Sequence, residues 1–355
     1  MFVWPEVRDC VSREDSAGEG AEIMSGPESD VAQLPEDLPP VEPPSAGFIV
    51  QLFVVPGIIV AAIVAVWLLF GKLATTEHDW RSLVVELQHP NEHRRWRGAL
   101  GLAQILKADQ ERGEAGQHLA QNRELAQTLS DVLMIELKSG TSVDEEFNYQ
   151  AFLARTLGLF DLPETVAPAL EKAMQPEYDR EVRKNAIGSI AVMTDRMTNG
   201  GMGEPSPLFE RAVETVSGDS DPLIRQLGAY TLGLFPQESA RDRLTVLLED
   251  GDPDTRINAA VALARSGDTR GLAVFRSVLE GAAKPSEPGS DGEYEQFVSL
   301  KNSLAAIERL AGKLTAGERQ DLIPLIEPVA SSYREPKIRV TAQTALQALQ
   351  AAKAE

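Results

Sequence analysis

A chain of 355 residues, 43% hydrophobic and 25% charged, has room for several domains or one elongated array. Its 54 acidic and 34 basic side chains give a formal net charge of −20, which argues against phosphate-backbone binding, since that needs a basic face to displace condensed counterions. A single cysteine, Cys10, excludes an internal disulfide framework and a cysteine-based structural zinc site.

Residues 1–46 hold eleven acidic side chains and only Arg8 and Arg13 as bases, with prolines clustered at 35, 39, 40, 43 and 44. Such a segment buries too little apolar surface to offset the entropy of ordering, so a disordered, self-repelling arm is expected. No positioned base can be named for Cys10, which reads as an ordinary thiol of that arm. Met24 opens the stretch MSGPESD, which looks like an ordinary start, so residues 1–23 read as an upstream extension.

From Leu52 to Phe70 no side chain is charged and only the indole of Trp67 can hydrogen-bond, and Gly47 to Gln51 extend the run. Nineteen residues at 1.5 Å each cover about 28 Å, close to the hydrocarbon thickness of a bilayer. A single transmembrane helix is therefore predicted over 47–71, with Trp67 and Lys72 as interfacial anchors. A cleaved signal peptide is a poorer reading, because the run follows an acidic arm instead of a short basic region. Residues 27–46 contain no Lys or Arg, whereas Lys72 and Arg81 follow the helix closely. The positive-inside rule then places the C-terminal part in the cytoplasm, at a bacterial cytoplasmic membrane.

After a linker at 72–78, apolar residues recur at helical spacing from 79 to 350, with no convincing strand pattern, followed by a tail at 351–355. Short turns rich in Asp, Gly and Pro divide the helices. The pentapeptide Thr-Leu-Gly-Leu-Phe occurs at 156–160 and again at 231–235. A second recurrence opens several helices: Asp221-Pro-Leu-Ile-Arg225, Asp252-Pro-Asp-Thr-Arg256, Glu335-Pro-Lys-Ile-Arg339 and, more loosely, Asp179-Arg-Glu-Val-Arg183. An Ala-rich run follows it, clearest at Asn258-Ala-Ala-Val-Ala-Leu-Ala264. Asp is a good N-cap, Pro is tolerated at the first helical position, and small residues let neighbouring helices approach. The recurring Arg stands where it would bond a carboxylate or carbonyl of a neighbouring unit.

These motifs resemble HEAT repeats, in particular the bacterial HEAT-like repeats of the phycobilin-lyase type, over roughly residues 79–350. The resemblance implies an all-α solenoid of about seven helix pairs with a period near 40 residues. The expected pairs are 79–107, 122–160, 164–197, 205–235, 238–266, 269–311 and 315–350, with surface loops at 198–206 and 282–290 and atypical caps at the ends. It also implies an extended concave face lined by the second helices.

Candidate chemistry is thin. His89-Pro-Asn-Glu-His93 matches the zinc pattern H-x-x-E-H, but Pro90 pushes His89 out of the helix, so a turn is expected instead. HEAT-like iron oxygenases use repeated His-Glu dipeptides, and none of His78, His89, His93 or His118 is followed by Glu. Asp250-Gly-Asp-Pro-Asp254 begins like a calcium loop, yet Thr255 and Val261 stand where the required Gly and Glu belong. The basic cluster His93-Arg-Arg-Trp-Arg97 reads as the solvated face of a first-repeat helix with Trp96 turned inward, or as a contact for anionic headgroups. No phosphate-loop, dinucleotide or nucleophile-elbow motif is found. The expectation is a non-enzymatic, membrane-anchored scaffold without catalytic, metal or cofactor residues, binding proteins through its concave face and lipid through 47–71, and no nucleic acid. The alternative is an accessory or lyase-like chaperone that holds a small molecule or client.

Overall fold

The computed structural model describes residues 46–74, 79–139, 149–201, 203–282, 286–287 and 289–352, and within the first segment the side chains of 47, 50, 51 and 54–67. The acidic arm with Cys10 and Met24, most of the expected linker, and the last three residues lie outside these. Two compact units divide the chain, Met1–Thr76 and Glu77–Glu355.

The first unit contributes one helix, α1 (Ala46–Ala74), of 29 residues, which runs through Pro56 and has no acidic residue in its first turn. Its described apolar side chains are exposed: Ile58 is 63% and Trp67 72% exposed. Among the described residues no helix is long and apolar enough to cross a membrane, and in α1 the uninterrupted stretch of described side chains is 54–67. The span expected over 47–71 is thus met as a helix, and its insertion in a bilayer is not shown.

The second unit is all helical among its described residues. The elements are α2 (Trp80–Leu87), α3 (Glu92–Arg112), α4 (Arg123–Ser139), α5 (Tyr149–Leu157), α6 (Pro163–Ala173), α7 (Arg180–Asn199), α8 (Pro207–Val216), α9 (Pro222–Leu232), α10 (Glu238–Leu247), α11 (Pro253–Arg265), α12 (Leu272–Gly281), α13 (Asp291–Leu310), α14 (Ala316–Ser332) and α15 (Pro336–Ala351). Consecutive helices pack as seven antiparallel-type pairs, α2 with α3 through α14 with α15. The second helices form one layer, each on the next from α3 to α15. First helices form the other layer, seen in α4 on α6, α6 on α8 and α12 on α14.

Local chemistry sets the boundaries. Asp79, Asn91, Asp179, Ser206, Asp221, Asp252, Ser290 and Thr315 each accept a backbone N–H at a helix start, relieving donors that the helix leaves unpaired. Pro163, Pro207, Pro222, Pro253 and Pro336 occupy first positions, where no bond is lost. The core runs through every pair: Leu102, Leu133, Leu157, Phe160, Leu170, Ile187, Phe209, Leu232, Leu263, Phe275, Leu304, Ile326 and Ile338 are all fully buried. Each such side chain contributes roughly 1.5–3 kcal/mol, so a pair cannot hide its apolar sides without its neighbours.

Candidate interaction face of the second-helix layer

The turns before α9 and α11 are each built from an acid two residues ahead of the N-cap. Asp221 N–H donates to Asp219 Oδ1 at 2.8 Å and Asp252 N–H to Asp250 Oδ1 at 2.9 Å, which leaves each acid facing the preceding pair. The recurring arginine fills that place. Arg225 donates from Nε and Nη2 to both oxygens of Asp250, each at 2.9 Å, while its Nη1 takes the carbonyls of Asp219 and Ser220. One pair earlier, Arg183 bonds the Met174 carbonyl at 3.0 Å and pairs with Asp219, both side chains being almost wholly buried. A parallel row lies outside it: Arg180 grips Asp221 at 2.6 and 2.7 Å, and Gln226 donates to Asp252 at 2.9 Å. The guanidinium of Arg225 holds the Asp250 carboxyl below its ordinary value, and Arg180 does the same for Asp221.

At the other end of the layer the pentapeptide explains itself. Thr156 and Thr231 both donate to the carbonyl four residues back, and Phe160 and Phe235 turn into the core. A Cβ on Gly158 would stand 2.7 Å from Ser189 Oγ of α7, and one on Gly233 2.5 Å from Ala262 Cβ of α11. Glycine therefore recurs because the following second helix passes against it. An arginine from that helix then closes the carbonyls left open: Arg196 Nη2 donates to Phe160 O at 2.8 Å, and Arg265 Nη2 to Tyr230 O at 3.0 Å. Composition and spacing did not reveal this second arginine row. Its only signal is an Arg recurring in the pair after each pentapeptide.

Between these rows lies the outward face of the central second helices. At its N-terminal edge Asp254 of α11 stands near Asp252 and Glu295; burial first, then these two carboxylates, raise its carboxyl above the ordinary value. Neither Asp254 nor Glu295 has an ion pair among the described residues. At the opposite edge, burial lowers the Arg265 guanidinium from its ordinary value, and the like charge of Arg309 adds to it, while Asp195 opposes. Arg265 also lies 4.9 Å from the Tyr230 ring. The face thus has an acidic edge and a basic edge, separated by Asn258 and Val261.

The motifs singled out in sequence fall elsewhere. His89 sits in the turn before α3, its Nδ1 accepting the Asn91 N–H at 3.0 Å, and His93 is in the first turn of the helix, so the two do not share a helical face. Among the described residues no group of acids, histidines or cysteines is arranged to hold a metal. Asp250 and Asp252 are consumed by Arg225 and by the α11 cap. In the basic cluster, Arg94 and Arg97 both pair with Glu86, at 3.5 and 2.6 Å, and Trp96 packs edge-on against Tyr149 at 5.3 Å and near Phe152. That is the inward-turned arrangement, with its positive charge largely answered.

Residues 207–285 match the family model for HEAT repeats. Together with the stacked pairs, this defines an all-α repeat solenoid with HEAT repeats over 207–285. Among curated proteins none matches the sequence. Solved structures similar to the chain include the CpcE–CpcF complex of phycocyanin lyase from Nostoc sp. PCC7120, at 16% identity, TM-score 0.39, over 77% of this chain and 95% of that one. The YibA protein of Escherichia coli is similar at 18% identity, TM-score 0.36, over 81% and 97%. A designed armadillo repeat protein in complex with the peptide (KR)4 is similar at 15% identity, TM-score 0.37, over 76% and 99%. At these scores the fold assignment rests on the helix pairs and the family match.

Proposed function

We propose that the chain is a membrane-tethered interaction scaffold, not an enzyme, whose second-helix layer forms the concave face and receives a protein partner carrying basic or mixed-charge segments. The observation that supports this best is the pair of neighbouring carboxylates, Asp254 and Glu295, which repel each other and hold no ion pair among the described residues. A basic side chain placed between them relieves their repulsion and gains two charge-assisted bonds. The tether is α1: its sequence from Gly47 to Phe70 has no charged residue, and the aliphatic side chains described between 54 and 67 are exposed, as suits a helix with lipid for solvent. Flanking Lys72 and Arg81 favour a cytoplasmic solenoid. Tethering raises the effective concentration of any partner that also visits the bilayer.

The test is crosslinking in native membranes followed by purification and mass spectrometry, comparing the full chain with residues 76–355 and with Asp254→Lys/Glu295→Lys. A stoichiometric partner, weakened by the charge reversal and depleted without the anchor, is the expected result. Co-purification of a small molecule with no protein partner would instead favour a ligand-holding accessory protein. Release of the full chain from membranes by alkaline carbonate would remove the anchor from the proposal and leave the scaffold to be judged by its partner.

A further inference from the structure

Two couples of like charge stand at the two ends of the seam where α11 packs on α13. Asp254 and Glu295 feel each other at the N-terminal end, and Arg265 and Arg309 at the C-terminal end. None of the four has an ion pair among the described residues. Arg265 commits Nη2 to the Tyr230 carbonyl, and its Nη1 donates to nothing described. Asp254, Asn258, Val261 and Arg265 follow one another by four, three and four residues, and Glu295, Asn302 and Arg309 by seven, so each set makes one stripe along its helix. Lys301 and Glu308 belong to another stripe, about 100° round α13. No member of the two stripes is buried, and the amides of Asn258 and Asn302 hold no hydrogen bond among the described residues. Helix dipoles favour single acids at helix starts and single bases at helix ends. They give no reason to set two like charges together at each end without a counter-charge, a repulsion that an oppositely charged ligand relieves.

Resting on the scaffold reading above, we propose that this seam receives an extended peptide segment with a Lys or Arg and an Asp or Glu about five or six residues apart, the base between Asp254 and Glu295 and the acid between Arg265 and Arg309. Length sets the spacing. The couples lie eleven residues apart on α11 and fourteen on α13, roughly 16 and 21 Å at 1.5 Å per residue, which an extended chain covers in about five or six residues. The asparagines select the extended form. An amide offers a donor and an acceptor to an open main chain, whereas a helix has already paired its own groups. A wholly basic segment, drawn only by the formal −20, would leave Arg265 and Arg309 facing like charge.

Random peptides of about twelve residues displayed on phage, selected on the full chain in lipid nanodiscs with empty nanodiscs as counter-selection, test this. Enrichment of a base and an acid about five or six residues apart is expected. Fluorescence anisotropy then compares synthetic peptides carrying one Lys and one Glu in a Ser/Thr background. The spaced pair binds at least about fivefold more tightly than the same pair about three residues apart, or than Lys alone. Glu295→Lys and Arg309→Glu, both exposed changes that leave helicity unaltered, each weaken the spaced peptide about fivefold or more, while Arg309→Lys stays within about twofold. Arg309→Glu does not weaken the Lys-only peptide.

Selection of uniformly basic peptides that respond to Glu295→Lys but not to Arg309→Glu would overturn this inference and leave the scaffold reading standing. Failure to enrich any peptide, or binding indifferent to both substitutions, would also overturn it, and the crosslinked partner would then judge the scaffold separately.

Discussion

Arg183 and Asp219 show what a single residue contributes to this architecture. Both are almost wholly buried, so removing one strands the other's charge, and Arg183→Ala is expected to cost about 3–5 kcal/mol. Replacing both by leucine recovers much of that loss, because a buried pair spends heavily on desolvation; denaturant titration of the single and double variants reads the difference. The Arg225–Asp250 pair is more open, and Asp250→Asn is expected to cost about 2 kcal/mol at neutral pH, between exposed and fully buried pairs. The sign of its pH dependence follows from the lowered carboxyl of Asp250. That contribution is fully present above the unfolded carboxylate value of about 4 and is lost as pH falls through the lower folded value. The gap between parent and variant should therefore close in acid. The sequence placed this arginine correctly as a link to a carboxylate or carbonyl next door. Which partner it takes was illegible, because Asp219 and Asp250 look like ordinary turn residues until the next pair is stacked.

At the scale of the helix, close approach decides which glycines matter. Gly233→Ala is expected to destabilise by about 1–3 kcal/mol, since the new Cβ would meet Ala262 at 2.5 Å. Gly188, inside α7, has nothing within 4 Å of its would-be Cβ, and Gly188→Ala should stabilise by about 0.5–1 kcal/mol through helix propensity. Thermal unfolding followed by circular dichroism separates the two outcomes. Pro and Asp at helix starts were readable because their chemistry is local. The extent of α3 was not: it runs on to Arg112, and its last turns carry Asp109, buried and accepting the Leu119 N–H at 2.6 Å. A buried aspartate reads as surface until the loop that satisfies it has folded back.

Over the whole array each pair touches only its neighbours, so stability is a sum of local terms and interfaces. Ile338→Ala, in the last pair, is expected to produce a separate early step in chemical denaturation. Leu232→Ala, in the middle, should lower the main transition by about 2–5 kcal/mol. Hydrogen exchange resolved by peptide assigns each step to its pairs. An all-α repeat array was legible from periodicity and two recurring motifs. The interaction face was not, because its members, Asp254 on α11 and Glu295 on α13, come together only through the packing of one second helix on the next.

The acid–arginine row also bears on how such a chain can change its length. The pair at 207–235 offers Asp219 backward and Arg225 forward, and receives and gives one salt link apiece. A tandem duplication of that pair would keep this row of links matched, each new arginine meeting a new aspartate. The same event after 266 would not, because Arg256 bonds only the carbonyls of its own turn and has no acid partner among the described residues. Growth by copying is thus permitted in the middle of the array and obstructed beyond it, and an engineer lengthening this solenoid would cut between 206 and 236.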